Sequence, residues 1–430
     1  RPVSARSSRW WQLKADAQRL TGAAGRGGQS PPWRVRSIDG MDSPVCLREI
    51  SAVVFIGVGI RSSSKRKESE MNATTVAVDL AKSVFQLAVA DEHWHIVETQ
   101  RLTRTQFERW FANRGVGLVV MEACGSAHHW ARWLNGLGIE VRLLPAQYVR
   151  AYVRRNKTDA TDAAALLEAA RASDMRPVRV KSVEQQALQG LHRIRSLWIG
   201  TRTSRINALR GFLREFGIAV PVGARTGLEA ISRVLADPAS ALPELIRGSA
   251  RLLVEEIRLL EARIAQLERE LAALARVSPA CTTLLSIPGI GLLTATALVA
   301  ATSGDVTHFK DARHFASWFG LTPREHSSGS SRFLGKISKR GDRYLRMLLT
   351  HGARSVLRAA KVADAAEREV CGVRRWALDV QRRSNHNKAA CALANKLARI
   401  CYATLRDKTP FGETERLNKK ITRESFVMPT

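Results

Sequence analysis

No apolar run in this sequence approaches the ~18 to 20 residues that a helix needs to span a bilayer. Ala52–Ile60 is much too short, and it lies too far in, with the wrong flanks, to be a secretory signal. A basic amphipathic helix with an aromatic apolar face is also missing, so an anionic membrane surface is the weaker choice of partner. Cysteine is sparse: Cys46, Cys124, Cys281, Cys371, Cys391 and Cys401 are scattered, with no CxxC pair. A disulfide framework and a zinc ribbon are therefore poorly supported, and a reducing compartment is the simpler setting. Acidic residues are outnumbered, 39 Asp and Glu against 68 Lys and Arg.

What is present fits a soluble, cytoplasmic protein of several domains. Apolar residues make up 45% of the 430 positions, enough to build real cores. At ~150 residues per domain the length allows about three. The net charge of +29 calls for a polyanion, and nucleic acid leads, because each cation that neutralises a phosphate releases counterions and adds affinity.

The text of the chain changes character at Met71. Residues 1–70 are rich in Arg, Ser, Gly and Pro and hold no sustained period of 2 or 3.6. They read as a non-native or disordered leader, with Met71 as the biological start; a basic nucleic-acid-binding arm is the alternative. Deleting them decides between the two.

Residues 71–178 read as one α/β domain. Thr74–Leu80, Val84–Ala90 and His95–Gln100 have the pattern of three strands joined by short turns. A helix over Thr105–Asn113 follows, then a buried strand Gly117–Met121, a helix around His129–Leu137 and a strand Glu140–Leu144. An antiparallel meander followed by alternating helices and parallel strands is the element order of the RNase H-like fold. Asp79 ends the first strand, Glu122 ends the buried one, and Asp159 and Asp162 open a helix running through Ala163–Ala172. Spacing of three places those two aspartates on one face. Four carboxylates at one point would repel unless divalent cations neutralised them, and two Mg²⁺ would also serve a phosphoryl displacement. Taken singly, each acid has a structural reading: Asp159 and Asp162 as a cap and a dipole-favoured N3 acid, Asp79 as a turn residue, Glu122 as a solvated strand end.

Residues 179–278 form a helical spacer. Ser182–Phe216 and Ala250–Val277 are long helical patterns separated by the Gly- and Pro-containing stretch Gly217–Pro243. Leu253, Ile257, Leu260, Ile264, Leu267, Leu271 and Leu274 repeat at fours and threes, an a/d coiled-coil seam that could close on the first helix or between subunits. Arg193, Arg195, Arg202, Arg205, Arg210 and Arg214 give the first helix a basic face, open to solvent or to phosphates.

Residues 279–405 read as a mainly helical domain, with a basic tail over 406–430. Ser286–Gly291 before the helix Leu293–Ala301 has the form of a helix-hairpin-helix turn, in which Gly289 and Gly291 would let a phosphate approach free N–H groups. Next, Ser327, Ser328, Ser330 and Ser331 sit beside Arg324, Arg332, Lys336, Lys339 and Arg340 in a polar, electropositive loop ahead of a helix Tyr344–Arg358. Its cations would bind a nucleic-acid backbone, and a hydroxyl there could attack phosphorus if a metal or base took its proton.

Val78–Lys82, Met121–Ala123, Asn156–Ala163, Ser286–Gly291, Phe319–Pro323 and Ser327–Ser331, in this order, resemble the DEDD transposases of the insertion sequence 110 family. The tail Leu417–Thr430 resembles the family's 1111-type subgroup. The resemblance runs from about Met71 to the C-terminus. It implies a RuvC-like domain, a coiled-coil region and a C-terminal transposase domain. It also implies that Asp79, Glu122, Asp159 and Asp162 are the metal-binding tetrad and that Ser328 is the nucleophile, with Ser327 next in line. By the same resemblance the cofactor is Mg²⁺, as two ions that Mn²⁺ can replace. The partners are DNA at element ends and target, a guide RNA from the element, and further copies of the chain as a dimer or tetramer. Two other classes compete: a RuvC-like nuclease that uses water, and a non-catalytic nucleic-acid-binding protein. A covalent protein–DNA adduct separates the recombinase from both.

Overall fold

The computed structural model describes residues 75–112, 114–153 and 159–412, the side chains of 159 and 160 excepted. The expected leader, residues 1–70, and the expected basic tail beyond Gly412 lie outside the described residues.

A mixed sheet comes first. β1 (Thr75–Leu80), β2 (Val84–Ala90) and β3 (Ile96–Thr103) form an antiparallel meander. β4 (Leu118–Glu122) and β5 (Glu140–Leu144) add in parallel on the other side of β1, giving the order β3-β2-β1-β4-β5. This arrangement is compatible with the RNase H-like fold read from the sequence. Period-2 alternation sorts the strands' side chains to two faces. Val76, Val78, Phe85, Leu87, Val119 and Met121 pack under α1 (Arg104–Ala112) and α2 (Ala127–Gly136). There Phe85, Phe107 and Trp130 meet edge to face, with centroids 4.9 to 5.2 Å apart. The opposite face carries small residues, Ala77, Ala88 and Ala90, with Val120 and Leu144. Alanines let a helix lie close, and α4 (Asp159–Arg171) does so through Ala163, Leu166 and Leu167. A short turn of helix, α3 (Ala146–Val149), lies between β5 and α4.

The spacer is an antiparallel helical hairpin. α5 (Val183–Glu215) starts with a capping box, in which Ser182 and Gln185 satisfy each other's backbone N–H. The hairpin's second long helix, α7 (Glu244–Arg276), returns along it. The ion pairs Arg195–Glu268, Arg202–Glu261 and Arg205–Glu256 fix the direction, since one partner's number rises as the other's falls. Half of the arginines expected to form an open basic face are thus neutralised within the hairpin. The buried seam of α7 is Val254, Ile257, Leu260, Ile264, Leu267, Leu271 and Ala275. Leu253 is only half-buried and Leu274 is exposed, so the expected seam is right in the middle and one position off at each end. A strict heptad repeat drifts by ~20° per heptad against a straight 3.6-residue helix, which is enough to move the ends.

The stretch Gly217–Pro243, expected only to separate the two long helices, contains a helix of its own, α6 (Ala224–Ala236), which buries Leu228, Ile231 and Leu235 against both of them. Arg247, 4% exposed, ties this corner together. Its guanidinium donates to the carbonyls of Val234, Leu235, Asp237 and Leu242 at 3.0–3.3 Å and to Ser240 Oγ at 3.1 Å.

The last unit is helical: α8 (Pro279–Leu285), α9 (Leu292–Thr302), α10 (Ala312–Trp318), α11 (Arg343–Ala365), α12 (Gly372–Arg382) and α13 (His386–Asp407). Leu298, Phe315, Phe319, Leu349, Leu357, Leu393 and Leu397 are among its fully buried residues. α5 docks on it through His192, 3% exposed, whose Nδ1 lies 3.0 Å from Tyr344 Oη and whose Nε2 lies 3.0 Å from Thr296 Oγ1. Thr296 spends its own proton on Leu292 O at 2.7 Å, so Nε2 donates to it. Burial, with Arg195 adding repulsion, pushes the pKa down to about 4, so the imidazole is neutral at pH 7 and its Nδ1 accepts from Tyr344. Arg179 and Asp305 add an ion pair between the segment after α4 and this unit. Among the described residues, no helix is long and apolar enough to cross a membrane.

Candidate active site

The strand register brings two of the expected acids side by side. β1 and β4 pair in parallel from Thr75↔Leu118 to Val78↔Met121, so the next residue on each strand is Asp79 and Glu122. Asp79 alternates with Val78 and so shares its face with Ala77; Glu122 likewise shares the face of Val120. That is the face covered by α4. Both acids are half-buried at the carboxyl ends of adjacent strands, where open α/β sheets place their functional groups.

The other two acids open α4. Asp162 is one turn ahead of Leu166 and so continues the helix stripe that packs on the sheet; position 159 stands in the same first turn. Asp162 is half-buried. All four candidates are thus carboxylates contributed by one face of the sheet and by the first turn of the helix covering it. An all-oxygen, anionic donor set is what Mg²⁺ accepts. Among the described residues, which exclude the Asp159 side chain, no three His, Cys, Asp or Glu form a metal-holding group.

The serine stretch is a hairpin instead of an open loop. β6 (Pro323–Glu325) pairs antiparallel with β7 (Leu334–Ile337), and Ser328 and Ser331 exchange two backbone hydrogen bonds of 3.1 Å around Gly329. Gly329 has φ +55°, the left-handed conformation a tight turn needs. Glu325 braces the strands: its Oε1 accepts from Ser327 Oγ at 2.7 Å and from Arg332 Nε at 3.2 Å. The Ser327 hydroxyl in turn accepts from Phe333 N–H at 3.3 Å. The Ser327 bond and then Arg332 hold Glu325 below the usual carboxylate range. Ser327 is thus fully engaged, whereas the exposed Ser328 hydroxyl makes no hydrogen bond among the described residues. The sequence offered no signal for this difference; Glu325 was the residue to notice.

Two glycines lock the root of the hairpin. A Cβ on Gly320 would stand 2.0 Å from Arg340 O, and one on Gly341 1.9 Å from Trp318 O. Ser338 N–H donates to Thr322 O at 2.8 Å, and Arg346 holds Phe319 O at 2.8 Å. Of the expected nucleic-acid contacts, Arg324, Lys336, Lys339 and Arg340 sit on or beside this hairpin without an ion pair among the described residues, while Arg332 is paired to Glu325. Among the described residues, the two strands of the hairpin pack chiefly on each other.

The Ser286–Gly291 turn has a role the sequence did not reveal. Ile287 and Ile290 are buried, and Gly289, at φ +90°, lies against α11, where its Cβ would meet Val356 Cγ2 at 2.6 Å and Gly352 O at 3.0 Å. Gly352 answers it, since a Cβ there would stand 2.0 Å from Gly289 O. The requirement for glycine at 289 is thus met by helix packing. Gly291 is exposed at the start of α9, ahead of N–H groups that no side chain caps.

Comparison with known proteins agrees with this architecture. Residues 76–218 match the family of DEDD transposases of IS110 type, and residues 281–368 match the "Transposase IS116/IS110/IS902 family". A Pseudomonas aeruginosa protein named "Probable family 20 transposase" is 46% identical over 341 residues, 79% of this chain and 98% of that one. The "Transposase for insertion sequence element IS1111A" of Coxiella burnetii is 40% identical over 341 residues, 79% of this chain and 92% of its own. More distant, at 26% over 368 residues, 80% and 99% of the two chains, is the "Pilin gene-inverting protein" of Moraxella bovis. With strand-end carboxylates on one domain and a braced serine hairpin on the other, the chain belongs to the IS110 family of transposases.

Proposed function

We propose that this transposase cuts and rejoins DNA through a phosphoserine link at Ser328, with Asp79, Glu122, Asp159 and Asp162 holding Mg²⁺. The observation that carries the reading is the unequal state of the two neighbouring hydroxyls: Ser327 is spent on Glu325 and Phe333, and Ser328 is presented on an exposed turn. Attack forms a Ser328 Oγ–P bond as a DNA P–O bond breaks. The serine proton leaves to solvent, and the displaced DNA oxygen acquires one. Because one phosphate ester replaces another, the step reverses without ATP, and rejoining to a second DNA end is strand exchange. Mg²⁺ bound to the carboxylates supplies Lewis-acid polarisation of the scissile phosphate; Mn²⁺ would serve the same donor set.

Since the strands of the hairpin pack chiefly on each other, the reading includes a dimer or tetramer in which one subunit's Ser328 works at another's carboxylates. A guide RNA from the element would read target and donor by base pairing, which asks of the protein only a surface for nucleic-acid backbones. Incubation with Mg²⁺, element-end DNA and candidate RNA is expected to give a denaturant-resistant protein–DNA adduct that maps to Ser328. Ser328→Ala should lose the adduct and keep DNA binding. Cleavage without any adduct would mean a water-using nuclease, and an adduct on Ser327 would overturn the assignment.

A further inference from the structure

α11 carries one face that the fold does not use. Its buried side is Leu345, Leu349, Ala353, Val356 and Ala360. Opposite, Arg343, His351, Arg354, Arg358 and Lys361 fall at spacings of four and three or their sums, and all are exposed. No acid interrupts this stripe; the helix's single acidic residue, Asp364, lies past its end and is paired to Arg375 and Arg382. None of the five takes part in an ion pair among the described residues, and Arg354 has only a 3.5 Å contact with Asn387 Oδ1 from the start of α13. The spacer hairpin gives the contrast: three of α5's arginines are neutralised by glutamates of α7. The stripe runs from Arg343 to Lys361, about 27 Å at 1.5 Å per residue. It begins directly after Lys336, Lys339 and Arg340 at the root of the serine hairpin.

We propose that this face of α11 is a docking surface for the sugar–phosphate backbone of duplex DNA, leading the duplex to the serine hairpin. Unpaired cations in a line over several phosphate spacings, with no amide side chains among them to read base edges, bind charge and not sequence. The inference rests on DNA being the partner and on nothing about the serine or the metal. It is therefore tested by equilibrium binding in EDTA, where failure of the phosphoserine reading has no effect.

The experiment is fluorescence anisotropy of the full chain with a labelled duplex of arbitrary sequence across a salt series. R354A/R358A/K361A should reduce the slope of log K against log salt by about 2 to 3, which at 0.1 M salt is roughly 10²-fold weaker binding. The loss should be equal for unrelated sequences. Arg225→Ala, which removes an arginine 90% exposed but paired to Glu229, should leave the slope unchanged. Should the triple variant fail to fold, Arg354→Gln and Lys361→Gln singly should each reduce the slope by about 1. An unchanged slope would overturn the proposal. So would an equal effect from Arg225→Ala, or a loss confined to RNA duplexes with DNA binding intact.

Discussion

Acidification offers a direct measure of how the spacer is attached to the C-terminal unit. His192 is buried and neutral between Tyr344 and Thr296, with its pKa lowered from 6.5 to about 4. His128 is also lowered to about 4, first by burial and then by Lys181 and Arg132, and accepts Lys181 N–H at 3.2 Å. For a folded-state pKa below the unfolded one, the unfolded chain binds more protons as pH falls, so stability is complete above 6.5 and declines through the window down to 4. The two-pKa linkage expression gives a loss of about 2 kcal/mol per histidine between pH 7 and pH 5. Carboxylates also titrate in the lower part of this window, so the informative quantity is a difference. Urea unfolding of the wild type and of His192→Gln at pH 7 and pH 5 should show the wild type losing about 2 kcal/mol more than the variant. The variant, less stable at pH 7 because it gives up two buried hydrogen bonds, should have the flatter pH profile. Equal pH slopes would refute the neutral, doubly bonded imidazole.

Two further substitutions test the packing. Gly320→Ala places a methyl 2.0 Å from Arg340 O at φ +68°, so it should cost more than the ~1–2 kcal/mol of a left-handed alanine alone; limited proteolysis within residues 323–337 should accelerate, and an unchanged cleavage rate would mean the hairpin root is not locked there. Arg247→Leu removes five hydrogen bonds at this corner, the Leu242 carbonyl losing its donor while Ser240 Oγ, Arg251 and Ser240 N–H still serve Val234, Leu235 and Asp237, and should lower unfolding free energy by about 1 to 3 kcal/mol by urea titration, with Arg247→Lys restoring little because an ammonium cannot span the same acceptors.

Much of the fold was legible because its signals are local. The strands β2 and β5 fall at the residues their alternation marks, and the capping serine of α5 stands where the pattern begins. α6 was hidden by its flanking glycines and prolines, which punctuate a sequence whether or not a helix lies between them. The serine hairpin read as a loop because its strands are three and four residues long and exposed at every position but Ile337, leaving no alternation to detect.

The site divides along the same line. Residue type and order were enough to single out the acids Asp79, Glu122, Asp159 and Asp162 and the serine loop, because carboxylates at strand ends and serines among cations can carry chemistry wherever they fold; the choice of Ser328 within that loop came from the family resemblance alone. That Asp79 and Glu122 are neighbours on the α4 face follows from a parallel register between strands some forty positions apart, which no local pattern encodes. Likewise, the sequence counts +29 without saying where that charge is free. Only the tertiary structure pairs three of the spacer's arginines with α7 and, among the described residues, leaves the basic stripe of α11 without an ion partner, because ion pairing depends on which helices become neighbours in space, and chain composition is silent on that.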